Sequence, residues 1–199
     1  MSIYDPDYKP EDLMVQVSEL LVATADAADT DIDQAVPEAL KLLRDKLQMD
    51  VVFVSQFVDG QRVFRYVDTE PQQPVIAVGG GDPLEESWCQ KVVDGRLPQL
   101  IRDVAKLPEA AEAAKVLPFN IGTHISTPIV LRGGEVYGTL CTFSFQPRPT
   151  SGLDDLNVLQ LTAQLVAEKI EQHRARQRHQ QPAPSPDLAL TPLERKQPF

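Results

Sequence analysis

The segment "ISTPIVLRGGEVYGTLCTFSF", Ile125 to Phe145, constrains this chain more than any other. Strand-forming residues run to either side of Gly133-Gly134, which predicts a long β-hairpin with a glycine turn. Strict alternation places His124, Ser126 and Pro128 on one face of the first strand and Thr123, Ile125 and Thr127 on the other. In the second strand Thr139, Cys141 and Phe143 share a face, opposite Leu140, Thr142 and Ser144. Neither face is uniformly apolar. Gly138 thins the strand and lets a neighbouring backbone or a ligand approach closely.

The remaining segments predict what this hairpin packs with. Leu13, Val17, Leu20 and Leu21 recur at helical spacing between Glu11 and Ala28. A second helix starts after a cap at Asp31 or Asp33, with Pro37 in its first turn and Val36, Leu40, Leu43 and Leu47 as its buried stripe. From Val51 the period changes to two, and Asp59-Gly60 marks a tight hairpin turn before a return strand through Val63 and Val67. Asp82 is expected to cap a third helix with Pro83 as its first residue and Gly95 as its stop. A short strand in "LPQLIRDV", a helix opened by Pro108, the long hairpin and a long helix after Gly152 complete the order. A mainly antiparallel sheet covered by helices, an α+β fold with long N- and C-terminal helices, satisfies it.

Charge divides the chain. Ten acids and one base lie in residues 1–40, so nine of the ten net negative charges are there. Phosphate backbones need a basic surface, and this balance argues against a nucleic-acid partner. The expected organisation is an acidic helical arm over 1–30, one domain over 31–178, and a Pro-rich disordered tail over 179–199. No apolar run is long enough to cross a bilayer, the N-terminus lacks the pattern of a secretory signal, and two cysteines are too few for a disulfide framework. A cytoplasmic protein without a membrane partner is the expectation.

Three segments together, "SWCQKVVDGRLPQLIRDVAKLP", "IGTHISTPIVLRGGEVYGTLCTFS" and "GLDDLNVLQLTAQLVAEKI", resemble a GAF domain, over roughly Pro37 to His173. The first is similar to GAF domains of bacterial signalling proteins, some of them fused to EAL-type cyclic-di-GMP phosphodiesterases. The resemblance implies a module that binds a small molecule between the sheet and a covering helix and dimerises through terminal helices. With no output domain legible in these residues, the signalling partner is expected to act in trans.

The residues narrow the choice of ligand without naming it. Free methionine-R-sulfoxide reductases, a catalytic branch of the family, need a nucleophilic cysteine; counting back from Pro128 to its place lands on Leu117. The expectation is therefore that the chain is not an enzyme, a thiol redox enzyme of that type being the weakest alternative. Bilin attachment lacks its cysteine, because "AAKVLPFN" stands there. In "VGGGDPLEES" the acids Asp82, Glu85 and Glu86 oppose a phosphate, so the glycines read as a loop device; a compensating charge is left to Arg62, Arg65, Arg102 or Arg132. His124, His173 and His179 form no metal-binding spacing with the cysteines.

The ligand pocket is expected to draw on Phe53, Ser55, Trp88, Cys89, His124, Ser126, Thr139 and Cys141. Trp88 reads as its lid or as core, the two cysteines as small buried hydrophobes, and His124 as exposed or backbone-paired. Leu156, Leu159, Ala163, Val166 and Ile170, three and four apart, read as the seam of a homodimer. Two functions follow: a small-molecule sensor of unidentified ligand, or an interaction module whose pocket its own side chains fill.

Overall fold

The computed structural model describes residues 9–23, 32–70 and 74–180. Its elements in chain order are helices α1 (Pro10–Ala23) and α2 (Ile32–Leu47), strands β1 (Val51–Val58), β2 (Gln61–Thr69) and β3 (Gly81–Pro83), helix α3 (Trp88–Val93), strand β4 (Leu100–Ile101), helix α4 (Pro108–Ala114), strands β5 (Thr123–Val130) and β6 (Val136–Ser144), and helix α5 (Leu153–Gln180). The strands form one sheet in the order β3-β2-β1-β6-β5-β4, antiparallel at every pairing. The fold is α+β, as the hairpins and helical periods require.

The alternation in β1, β5 and β6 divides the interior in two. Val52, Val54, Ile125, Ile129 and Leu140 meet α1, α2 and α5 in one cluster. Val51, Phe53, Cys141 and Phe143 meet α3 and the segments around α4 in the other. The sheet is therefore the middle layer of three. At its centre Gly138 lets the β1 backbone close in, since a Cβ there would lie 1.9 Å from the Ser55 carbonyl oxygen. Both hairpin turns fall where the glycines predict: Asp59 and Gly60 have φ of 51° and 73°, and Gly134 has 81°.

The acidic helix α1 is built into the domain. Leu13, Val17 and Leu21 are buried in the first cluster, while Glu11, Asp12 and Glu19 face solvent. The second helix begins at Ile32, so Pro37 lies beyond the first turn expected for it. It sits on the exposed face, where water can serve the carbonyl of Asp33 that loses its helical partner. Asp31 and the tail from residue 181 lie outside the described residues, and α5 runs through His179 to Gln180.

The expected dimer seam needs correction. Leu159, Ala163, Val166 and Ile170 are buried in the first core cluster of their own chain, and Leu156 packs half-buried against it. Ile125, Ile129 and Leu140 present an apolar sheet face that must be covered, and α5 covers it. A stripe at three-four spacing is the same whether a helix lies on a sheet or on a second helix, so the sequence pattern could not separate the two. Among the described residues no helix is long and apolar enough to cross a membrane.

Candidate functional site

The third helix starts later than Asp82 suggests. Gly81–Pro83 pairs with β2 as an edge strand, a 3₁₀ turn follows at Leu84–Glu86, and Ser87 caps α3 by accepting the Gln90 N–H at 3.1 Å. "SWCQ" carries the Ser-x-x-Gln spacing of a capping box, a signal missed beside the Asp-Pro pair. Asp82 is engaged elsewhere. Arg62 donates from Nε to its Oδ1 at 2.9 Å and from Nη2 to its Oδ2, the fork that a planar guanidinium offers a carboxylate.

A bulge in β2 brings Arg62 to this place. Ser55 pairs with Phe64 and Val54 with Tyr66, leaving Arg65 as the extra residue. The bulge changes parity, so Phe64 and Val67 both reach the second cluster while Tyr66 packs on the first. Arg62, opposite Phe57, turns inward with Phe64 and is only 8% exposed. Its guanidinium carbon stands 4.6 Å from the Phe64 ring centroid. Its third contact is Cys89, whose Sγ lies 3.3 Å from Nη1. Burial alone would lower the guanidinium pKa, but Cys89 and Asp82 outweigh it and raise the value. The other candidate arginines turn away: Arg65 to Gln56, Arg102 to the Ser151 carbonyl and Arg132 to Glu171.

His124 on β5 is neither exposed nor backbone-paired at Nδ1. It is 2% exposed, and its Nδ1 has no hydrogen-bond partner among the described residues. Its ring meets Trp88 edge-on, 5.1 Å between centroids. Burial first, and the charge of Arg62 second, push its pKa down to about 3, so the imidazole is neutral at pH 7. The Trp88 indole donates to the Ala113 carbonyl at 3.3 Å, which ties α3 to α4.

Between these groups lies a cavity of about 50 Å³. Phe53, Arg62, Phe64, Trp88, His124 and Phe143 line it, and Val116, Leu117, Phe119 and Ile121 lie over it from the segment after α4. Leu117 thus occupies the cavity wall where the reductases were expected to carry a nucleophile. Of the eight expected pocket residues, Phe53, Trp88 and His124 reach the cavity. The other five, Ser55, Cys89, Ser126, Thr139 and Cys141, form a fully buried polar layer behind it. Ser55 and Thr139 hydroxyls are 2.9 Å apart, Cys141 Sγ lies 3.1 Å from Thr139 Oγ1 and 2.9 Å from Ser126 Oγ, and the two sulfurs are 3.5 Å apart. The cysteines are buried in the second apolar cluster, as expected, yet their sulfurs also meet hydroxyls and, at Cys89, a cation.

A larger open groove of about 650 Å³ runs between the β5–β6 turn and the end of α5. Four of its charges pair with one another, Arg132 with Glu171 at 2.9 Å and Arg174 with Glu135 at 3.6 Å, and Arg178 lines it as well. Among the described residues no group of three or more metal-ligating side chains occurs.

An antiparallel sheet with one face sealed by long helices and the other enclosing a small cavity beneath short helices defines an α+β module of three layers. Residues 29–171 match the family model of the GAF domain, and the chain belongs to that family, whose members are ligand-binding signalling and sensory modules. No curated protein matches the chain. Solved structures share its fold. The GAF domain of an Acinetobacter phosphoenolpyruvate-protein phosphotransferase is 14% identical, with 83% of this chain and 94% of that one covered and a TM-score of 0.65. A phycocyanobilin-bound GAF domain from a cyanobacterial phytochrome is 14% identical over 85% and 98%, with a TM-score of 0.63. Free methionine-R-sulfoxide reductase from Neisseria meningitidis, in complex with its substrate, is 15% identical over 88% and 96%, with a TM-score of 0.65. At these identities the likeness is one of fold.

Proposed function

We propose that this chain is a small-molecule sensor whose ligand occupies the cavity over β1, β5 and β6. One observation carries the reading: a wholly buried, neutral His124 lines the cavity, and its Nδ1 has no hydrogen-bond partner among the described residues. An unsatisfied buried polar atom costs about 1–3 kcal/mol, a cost that a ligand's hydrogen-bonding group removes. The ligand is compact, flat or apolar against Phe53, Phe64 and Trp88, and polar where it faces His124. It is held without covalent attachment, and the chain is not an enzyme. The module acts in the cytoplasm on a signalling partner in trans. Self-association, part of the same proposal, would use the exposed side of α1, where Val15 and Val22 lie open, since the inner stripe of α5 is occupied.

Native mass spectrometry of protein purified without added ligand tests this. Extra mass that denaturation removes, absent from a His124→Phe variant, supports the sensor and reports the ligand's mass. A clean mass for both, with no small molecule from a metabolite library raising the melting temperature of the wild type, sinks it.

The size of the cavity favours a second reading. A volume of about 50 Å³ has room for a few waters at most, as an interaction module with a self-filled pocket requires. That reading expects the clean mass, and no loss of partner binding in the His124→Phe variant.

A further inference from the structure

We propose that Cys89 and Cys141 are a peroxide-oxidisable pair, in which Cys89 is the reacting thiolate and Cys141 resolves it to a disulfide joining α3 to β6. The inference is separate from the ligand reading and stands on the layer behind the cavity. Both cysteines are free and buried, with sulfurs 3.5 Å apart. A disulfide needs about 2.05 Å, so closure asks for a sulfur displacement within the reach of side-chain rotation.

Both sit in the second apolar cluster, but polar contacts at their sulfurs distinguish them from cysteines that serve only as small hydrophobes. Ser55 Oγ lies 3.8 Å from Cys89 Sγ, Arg62 Nη1 lies 3.3 Å from it, and Ser126 and Thr139 hydroxyls attend Cys141. A guanidinium against sulfur at a buried site stabilises thiolate over thiol. The asymmetry assigns the roles, because Arg62 touches Cys89 and not Cys141. Burial pushes the Cys89 thiol up, but the hydrogen bond with Cys141 and the charge of Arg62 outweigh it and bring it down to about 5. Burial pushes Cys141 up, and the neighbouring Cys89 adds to the rise, so Cys141 keeps its proton.

The oxidant is hydrogen peroxide, small enough for the cavity of about 50 Å³ that Arg62 also lines. The Cys89 thiolate attacks one peroxide oxygen and the O–O bond breaks. Sulfur is oxidised to a sulfenic acid, and the other oxygen leaves as hydroxide, which takes a proton from solvent to become water. Cys141 sulfur then displaces the sulfenyl hydroxyl, its proton leaving with that hydroxyl as a second water, and the S–S bond forms. Two thiols have lost two electrons to one peroxide. Oxidation also removes one of the two anions that Arg62 holds, so the charge at the cavity wall changes with redox state.

The test treats the full chain with hydrogen peroxide, alkylates remaining thiols after denaturation, and measures intact and peptide masses. The expected result is joint loss of both alkylatable thiols, a mass lower by two hydrogens, a Cys89–Cys141 linked peptide, and recovery with dithiothreitol. In Cys141→Ala the reaction should stop at a Cys89 sulfenic acid captured by dimedone, and in Cys89→Ala no sulfenic acid should form on Cys141. In Arg62→Gln the pH profile of Cys89 oxidation should move upward by more than one unit, toward the free-thiol value of about 8.5. If that variant does not fold, the two cysteine variants decide alone. The proposal is overturned if both thiols survive peroxide, if they reach sulfinic acids without a bridge, or if the only disulfide formed joins two chains.

Discussion

Arg62 and Asp82 are register partners across the β2–β3 ladder, and their side chains repeat the pairing as a two-point ion pair, with Arg62 Nε 2.9 Å from Asp82 Oδ1. The pair anchors a three-residue edge strand and aims the remaining guanidinium nitrogen at Cys89. One carboxylate thus sets both the edge of the sheet and the charge behind the cavity.

Asp82→Asn should therefore destabilise the chain. Removing one partner of a buried ion pair costs about 3–5 kcal/mol. The Asp82 side chain is 36% exposed, so water replaces part of what is lost and about 1–3 kcal/mol is expected. Urea unfolding measures it; a midpoint equal to wild type would mean that Cys89 alone suffices to hold Arg62.

Gly138→Ala should be far worse. Its Cβ would lie 1.9 Å from the Ser55 carbonyl oxygen, so β1 and β6 would have to separate at the sheet centre. A loss above about 3 kcal/mol, or no folded protein, is expected. Gly133→Ala is the control: nothing lies within 4 Å of a Cβ there, and a change of at most about 0.5 kcal/mol is expected. Equal stability of the two variants by thermal unfolding would contradict this account of the strand.

His124 should make the protein acid-sensitive. Its folded pKa is about 3, below the ordinary 6.5, so between those values the unfolded chain binds a proton that the folded chain does not. Stability then falls as pH drops from 6.5 toward 3, by an amount on the order of a few kcal/mol for this group. His124→Phe removes the group and should flatten that part of the curve. Unfolding free energies of the two proteins across this range give the difference directly, and parallel curves would show that His124 is protonated in the folded state.

Leu159→Ala tests where the α5 stripe is used. The side chain is fully buried against the sheet, so truncation should cost about 2–5 kcal/mol. The mass measured by light scattering should not change. A wild-type dimer that this variant alone converts to a folded monomer would return the stripe to an intermolecular seam.

Much of the site was legible residue by residue and hidden as an arrangement. Phe53, Ser55, His124, Ser126, Thr139 and Cys141 follow from alternation in the strands, since side chains on one strand face go to one side, and Cys89 from its place beside Trp88. Arg62 was visible only as one of four arginines. The unpaired Nδ1 of His124 was hidden for a similar reason: the absence of a partner belongs to all the elements around it.

Periodicity and turn chemistry determined the elements, the antiparallel hairpins, the two-faced sheet and the family, because these depend on neighbours a few positions apart. Tertiary structure decided what local spacing leaves open. The bulge at Arg65 reverses strand parity and turns Phe64 and Val67 to the same side. Ion pairing draws Asp82 from a helix cap to Arg62, and the uncovered apolar face of the sheet claims Leu159 and Val166 before a second chain can. Each outcome follows from burial, since a charge or an apolar face removed from water takes the partner that the whole fold brings nearest.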